Sequence, residues 1–128
     1  MSHTITTLLP ILRTSYTDIT FRSADHFGWL PVTRTVTYLP TGDVTLLLHE
    51  LGHALLGHTS YKRDIELIVM EREAWEQARS IGNRFGHPVT DEIIEDALDT
   101  YRDWLHRRSL CPNCAMTGIQ TDNYTYHC

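Results

Sequence analysis

The segment from Val44 to His58 constrains the fold of this chain more than any other stretch. It carries the pattern His-Glu-x-x-His, as His49, Glu50 and His53, within a mostly apolar run. Such a run predicts a buried helix, on which residues four positions apart lie on the same face. Two histidines and a carboxylate in a buried helix carry a large desolvation cost unless they are engaged. The segment therefore predicts a core helix that holds a metal ion.

The three motif residues are predicted to have different roles. His49 and His53 can direct their imidazoles at one ion, and their spacing is typical of zinc sites. Glu50 follows His49 by about 100° of rotation, so it lies beside the ion and not among its ligands. A catalytic zinc site has three protein ligands and an open position for water, from which a carboxylate removes a proton. We therefore predict His49 and His53 as zinc ligands and Glu50 as the general base.

The third ligand is predicted on the next helix, which runs from about Asp64 to Arg79 or slightly beyond, before Gly82. Glu71 lies in the middle of the apolar face of this helix, among Leu67, Ile68, Ala74, Trp75 and Ala78. A carboxylate that faces a core is costly unless it binds a metal or pairs with a buried arginine, and we favour the metal. Glu73 and Glu66 have more polar neighbours and are assigned to a solvated face.

His58 follows Gly57, the predicted end of the motif helix. We expect His58 to have a structural role, or to contact a ligand residue, rather than to bind the metal. His58 and Tyr61 are also candidate donors for the negative charge that develops on a substrate carbonyl.

The remaining elements predict an α+β fold. Residues 17–21 and 32–39 are rich in β-branched and aromatic side chains and predict strands, whereas residues 5–12 fit either a strand or a short helix. Alternation over 32–39 predicts a half-buried strand that could form a sheet edge and accept a substrate peptide. Thr90 is predicted to cap a third helix. We therefore expect a small antiparallel sheet packed on the motif helix and two further helices.

The end of the chain is predicted to form a tail, residues 109–128, after a domain of residues 1–108. Cys111 and Cys114 form a Cys-x-x-Cys turn, and Cys128 follows after thirteen residues. This spacing resembles most of a zinc ribbon, with the three cysteines as ligands of a second, structural zinc ion. Either His127 supplies the fourth ligand, or the ribbon is truncated or left incomplete. We favour a truncated or incomplete ribbon.

Composition excludes several classes of protein. The 128 residues suffice for about one compact domain, and the net charge of −5 argues against general binding to nucleic acid or acidic membranes. No apolar run approaches the ~20 residues of a membrane span. A signal peptide has a basic residue before its apolar stretch, whereas here no basic residue precedes the short apolar stretch 8–12. The cysteine spacing fits metal binding in a reducing compartment. We therefore expect a cytoplasmic protein.

Two motifs in combination resemble the ImmA/IrrE family of small zinc metallopeptidases. The first is the apolar lead into His49-Glu50-Leu51-Gly52-His53, and the second is Glu71-Arg72-Glu73-Ala74 on the following helix. The similarity covers roughly residues 30–105. The resemblance implies a minimal gluzincin, with a small sheet on a zincin-like active-site helix, the same three zinc ligands and the same general base. Trp75 stands where many members have asparagine.

The resemblance also implies an activity, the Zn²⁺-dependent hydrolysis of a peptide bond in a protein substrate. Several family members cleave a DNA-bound repressor in phage or stress regulation, so a transcriptional repressor is one expected partner. SprT-like metalloproteases also join His-Glu-x-x-His to a zinc ribbon, but with a third histidine, here His87; the apolar setting of Glu71 favours Glu71. The alternative function is a non-catalytic zinc-binding interaction module, for which Glu50 would have no purpose.

Overall fold

The structure, a computed structural model, describes residues 4–110, 116–120 and 126–127. In these ranges the chain forms four helices and five short strands, in the order α1 Thr4–Ser15, β1 Thr20–Ser23, β2 Gly28–Leu30, β3 Thr35–Tyr38, α2 Val44–Leu56, α3 Asp64–Phe85, α4 Asp91–Arg108, β4 Ile119–Gln120 and β5 Tyr126–His127. The predicted α+β class is confirmed. No helix within the described ranges combines the length and the apolar character needed to cross a bilayer.

The chain divides into two compact units. The first comprises residues 1–59 with 73–89, and the second comprises residues 60–72 with 90–128. Helix α3 contributes its residues up to 72 to the second unit and the remainder to the first. The predicted boundary between a domain of residues 1–108 and a tail of residues 109–128 stays a prediction.

The first unit contains a three-stranded sheet in which β3 is the central strand. β1 pairs with β3 in parallel and β2 pairs with β3 antiparallel, so the sheet is mixed. The predicted antiparallel sheet is therefore wrong for β1. Hydrophobic periodicity reports which face of a strand is buried, but it carries no information about the direction of the neighbouring strand.

Strand β3 also corrects the predicted sheet edge. All four of its residues are buried, whereas Val32, which the alternation placed in the same strand, is 97% exposed and lies before it. Because β3 pairs on both sides, its backbone groups cannot receive a further strand. The edges of this sheet are β1 and β2.

Helix α1 occupies a segment for which the sequence left strand and helix open. The predicted count of two further helices is therefore wrong, because three described helices accompany α2. Four buried side chains recur at helical spacing, Ile5, Leu8, Leu9 and Leu12. Burying each is worth about 1.5–3 kcal/mol, which together exceeds the ~3 kcal/mol that Pro10 costs inside a helix.

Helix α2 has a cap at each end, and the one at Gly57 is the end that its sequence predicts. Asp43 is the N-cap, and its carboxylate accepts a hydrogen bond from the backbone N–H of Thr45. Gly57 ends the helix in the left-handed conformation, at φ 68°. Leu47, Leu48 and Leu51 are fully buried, and α2 packs against β2 and β3.

Helix α3 is longer than predicted, because it continues through Gly82 to Phe85. A Cβ at Gly82 would lie 2.2 Å from the backbone oxygen of His87. Gly82 therefore serves the close return of the chain after the helix. The helix ends instead at Gly86, which has a left-handed φ of 79°.

The second unit is organised around the buried carboxylate of Asp64. Arg108 and the phenol of Tyr126 both donate hydrogen bonds to this carboxylate, and the backbone N–H of Asp64 donates to Gln120 Oε1 at 2.6 Å. Burial and the hydrogen bond to Asp64 raise the pKa of Tyr126 to about 12. The start of α3, the end of α4 and the antiparallel pair β4–β5 thus meet at one buried charge.

Two predictions for the second unit have different outcomes. Thr90 caps α4 as predicted, and its hydroxyl accepts a hydrogen bond from the backbone N–H of Ile93 at 3.2 Å. Cys111, Cys114 and Cys128, the predicted ligands of a structural zinc ion, lie outside the described residues. The second zinc site therefore stays a prediction.

Candidate metal centre

Three buried side chains of the predicted site come together in the structure. His49, His53 and Glu71 are 7%, 8% and 5% exposed. Each offers one ligand atom, and these atoms all lie within 4.8 Å of one another. The three residues lie close enough to bind a metal ion. His87, the alternative third ligand, does not belong to this group, nor does any other described histidine, cysteine or carboxylate.

The donor set fits the predicted metal. Two imidazoles and one carboxylate are the protein ligands of many catalytic zinc sites, and such a site keeps a fourth position open. The same donors also suit other divalent first-row metals. Burial is compatible with a bound ion, because a carboxylate away from water is costly unless a charge or hydrogen-bond donors compensate it.

Gly52, within the motif itself, determines how closely α3 approaches α2. A Cβ at Gly52 would lie 2.3 Å from the backbone oxygen of Ala74, a residue that is itself fully buried. Only glycine permits this approach of the two helix backbones. The sequence pattern alone assigned no role to Gly52. A glycine in the middle of a predicted buried helix, among large apolar side chains, is the feature that could have indicated a close helix contact.

Trp75 forms one wall of the site. Its ring stacks on the imidazole of His49 with a centroid distance of 4.4 Å and an interplanar angle of 6°. Its indole N–H is buried and has no hydrogen-bond partner among the residues that the structure describes. The departure from the family pattern at this position thus puts an aromatic plane against a predicted ligand, which restricts the rotation of His49.

Glu50 lies beside the three-residue group and is not a member of it. One of its carboxylate oxygens is 3.3 Å from Nδ1 of His49, and its side chain is largely buried. With Nδ1 in this contact, Nε2 is the ring nitrogen of His49 that a metal ion would use. The placement is the one expected of a residue next to the ligands, and the role of Glu50 as general base stays a prediction.

His58 is folded back onto His53 by the turn at Gly57. The backbone N–H of His58 donates to the carbonyl oxygen of His53 at 3.1 Å, and the indole of Trp29 donates to the carbonyl oxygen of His58 at 2.9 Å. In this position Nδ1 of His58 lies 2.9 Å from Nδ1 of His53. His58 therefore contacts a predicted ligand, as expected from its position after Gly57.

Glu73 reaches the second ring nitrogen of His58. Its carboxylate lies 3.2 Å from Nε2 of His58, although 55% of the Glu73 side chain is exposed. The assignment of Glu73 to a merely solvated face is thus incomplete. Because both nitrogens of His58 are engaged, His58 is not positioned to donate to a substrate carbonyl.

No protein-family model matches the chain, and no curated protein or solved structure matches it at a significant level. The likeness to ImmA/IrrE peptidases therefore rests on the two motifs alone. The metal centre rests on the grouping of His49, His53 and Glu71.

Proposed function

We propose that this chain is a zinc-dependent metallopeptidase of the ImmA/IrrE type, which hydrolyses a peptide bond in a protein substrate. The observation that supports the proposal is the buried group of His49, His53 and Glu71 with the carboxylate of Glu50 beside it. A purely structural metal site would have no need for that fourth group. Following the resemblance, a transcriptional repressor is the first class of substrate to test, in the cytoplasm.

The protein residues would divide the chemistry as follows. His49, His53 and Glu71 would hold the ion, which when bound supplies a Lewis acid for the scissile carbonyl and for the attacking water. Glu50 would accept a proton from the attacking water and would return it to the leaving amine. Trp75 holds the ring of His49 in its plane by stacking.

An extended substrate would bind along β2. This strand pairs with β3 on one side only, so its other edge presents backbone donors and acceptors for an added strand. β2 also packs against α2, the helix that carries His49 and His53, whereas the other edge strand, β1, packs against α1. β2 thus replaces β3 as the proposed docking strand.

Substitution of Glu50 by glutamine tests the activity. We expect Glu50→Gln to retain the fold and the metal, because the side chain is isosteric and lies outside the ligand group, and to abolish hydrolysis. The measurement is mass-spectrometric detection of new N-termini in a proteome-derived peptide library incubated with zinc-loaded protein. Equal cleavage by wild type and Glu50→Gln, or no cleavage by zinc-loaded wild type, would reject the peptidase and favour the non-catalytic zinc-binding module.

A further inference from the structure

We propose that His58 and Glu73 are positioning residues that hold the ring proton of His53 on Nδ1, so that Nε2 presents its lone pair to the metal. The proposal rests on metal binding by His53, which is part of the proposed function. It adds two residues that neither motif assigns to the site.

The three side chains form a continuous hydrogen-bonded chain, here called the His53–His58–Glu73 relay. The two Nδ1 atoms are 2.9 Å apart, and Nε2 of His58 is 3.2 Å from the Glu73 carboxylate. The relay begins at the buried ring of His53, passes through the largely buried ring of His58 and ends at the exposed carboxylate of Glu73. All three residues belong to the first unit.

The exposed end of the relay determines where each proton lies. An ionised carboxylate only accepts hydrogen bonds, so Nε2 of His58 must donate to Glu73. A neutral imidazole has one N–H, so Nδ1 of His58 is then an acceptor, and Nδ1 of His53 must donate to it. His53 is thereby held in the tautomer whose lone pair is on Nε2. Metal-binding histidines are commonly oriented by such a donated N–H.

The opposite direction of the relay is incompatible with a metal on His53. If Nδ1 of His58 donated to Nδ1 of His53, a neutral His53 would carry its proton on Nε2 and could not bind through that atom. A donor in place of the Glu73 carboxylate would favour this direction. Glu73 therefore acts through its acceptor-only chemistry.

Local sequence features build the relay. The left-handed turn at Gly57 returns the chain so that the His58 ring meets His53. On α3, Glu71 and Glu73 are separated by about 200° around the helix axis. One carboxylate of the Glu-x-Glu motif can therefore be a ligand while the other reaches a different side of the helix. Both acidic residues of the motif then serve the same centre.

Ring-nitrogen NMR of the zinc-loaded protein reads the tautomers directly. We expect long-range ¹H–¹⁵N correlations to show His53 protonated at Nδ1, and His58 protonated at Nε2 with an unprotonated Nδ1. Protonation of His58 at Nδ1, alone or together with Nε2, while zinc is bound would overturn the proposal. This readout does not require a substrate, so the relay and the peptidase activity can fail separately.

Zinc affinity, measured by competition with a chelator, tests the contribution of each residue. We expect His58→Leu to weaken zinc binding about 10- to 100-fold, the usual effect of losing a partner of a ligand histidine. His58→Asn should recover most of that loss, because its side-chain oxygen can accept the N–H of His53. Equal losses for His58→Leu and His58→Asn would reduce His58 to a packing role and overturn the proposal.

The end of the relay has a matched control on the same helix. Glu76 is as exposed as Glu73, at 55%, and contacts Arg79 at 3.8 Å instead of a histidine. We expect Glu73→Gln to lower zinc affinity, by less than His58→Leu, and Glu76→Gln to leave it unchanged. Identical zinc affinities for the two variants would show that the carboxylate of Glu73 does not orient His53 and would overturn its assignment.

Discussion

Glu71 and Glu73 have different surroundings, because two positions along a helix differ by about 200° of rotation. Glu71 is buried within the group of candidate ligands, whereas Glu73 is half exposed and contacts His58. The sequence placed Glu71 on the apolar face and Glu73 on a solvated face. The structure buries Glu71, as that face predicts, and brings Glu73 into contact with His58.

The ligand role of Glu71 is tested by removing its carboxylate. Zinc that binds only the folded state stabilises it, by about 2.7 kcal/mol at a concentration 100 times the dissociation constant. Added zinc should therefore raise the melting temperature of the wild type and change that of Glu71→Ala little. Calorimetry with and without zinc measures the melting temperatures of both proteins. An undiminished zinc response in Glu71→Ala would remove Glu71 from the ligand set.

At the scale of elements, the close packing of α2 on α3 is the feature on which the site depends. Gly52 permits the approach, because any side chain would overlap the backbone at Ala74. Asp43 and Gly57 define where α2 begins and ends, and the turn at Gly57 positions His58. The glycines of the motif segment therefore determine how α2 packs and where it ends, and its histidines are the candidate metal ligands.

Substitution of Gly52 by alanine should separate the two helices locally. Overpacking of a core typically costs about 1–3 kcal/mol, and we expect Gly52→Ala to lose that much stability and also to bind zinc more weakly. Urea denaturation and chelator competition measure the two effects.

Gly86→Ala is the control for this substitution. A Cβ at Gly86 meets nothing within 4 Å, so only backbone strain at φ 79° opposes it, at a cost of about 1–2 kcal/mol. It should lower stability without changing zinc affinity. A zinc affinity of Gly52→Ala equal to that of wild type would contradict the packing argument.

At the scale of the whole molecule, each of the two units has its own stabilising centre. The first contains the mixed sheet, which packs with α1 and α2 around an apolar core. The second is connected through Asp64, whose carboxylate receives hydrogen bonds from Arg108 and Tyr126. That buried charge makes the stability of the second unit sensitive to the protonation of Tyr126.

The raised pKa of Tyr126 predicts a loss of stability at alkaline pH. The phenol keeps its proton in the folded state up to a pKa of about 12, whereas in the unfolded chain it titrates near ~10. Its contribution is therefore complete below pH ~10 and is lost as the pH rises towards 12. Denaturant unfolding between pH 9 and about 11.5 should show a steeper fall in unfolding free energy for wild type than for Tyr126→Phe.

Tyr16→Phe provides the comparison for this pH profile. Tyr16 lies in the first unit, where its ring packs edge-on against Phe85 at 6.5 Å between centroids. This variant removes a phenol outside the Asp64 cluster and should keep the alkaline slope of the wild type. A slope in Tyr126→Phe equal to that of wild type would mean that the Asp64 contact does not hold the phenolic proton.

The sequence by itself determined those features that depend only on neighbouring residues of one helix. The motif helix with its end at Gly57, the Thr90 cap of α4 and the buried face of Glu71 all follow from residues that are close in the sequence. The structure contains each of these features. These features are local, because a helix brings its own nearby residues onto one face whatever surrounds it.

Only the tertiary structure decided those features that depend on contacts between different elements. Several features join residues that are not related by the periodicity of one helix or strand. They are the parallel pairing of β1 with β3, the burial of β3 on both sides, the closeness of Gly52 to Ala74, and the contacts from His53 through His58 to Glu73. Residues 5–12 fitted either a strand or a short helix, and the burial available in the folded chain favours helix α1 despite Pro10. Local periodicity specifies the faces of an element, and the free energy of burying those faces selects their partners.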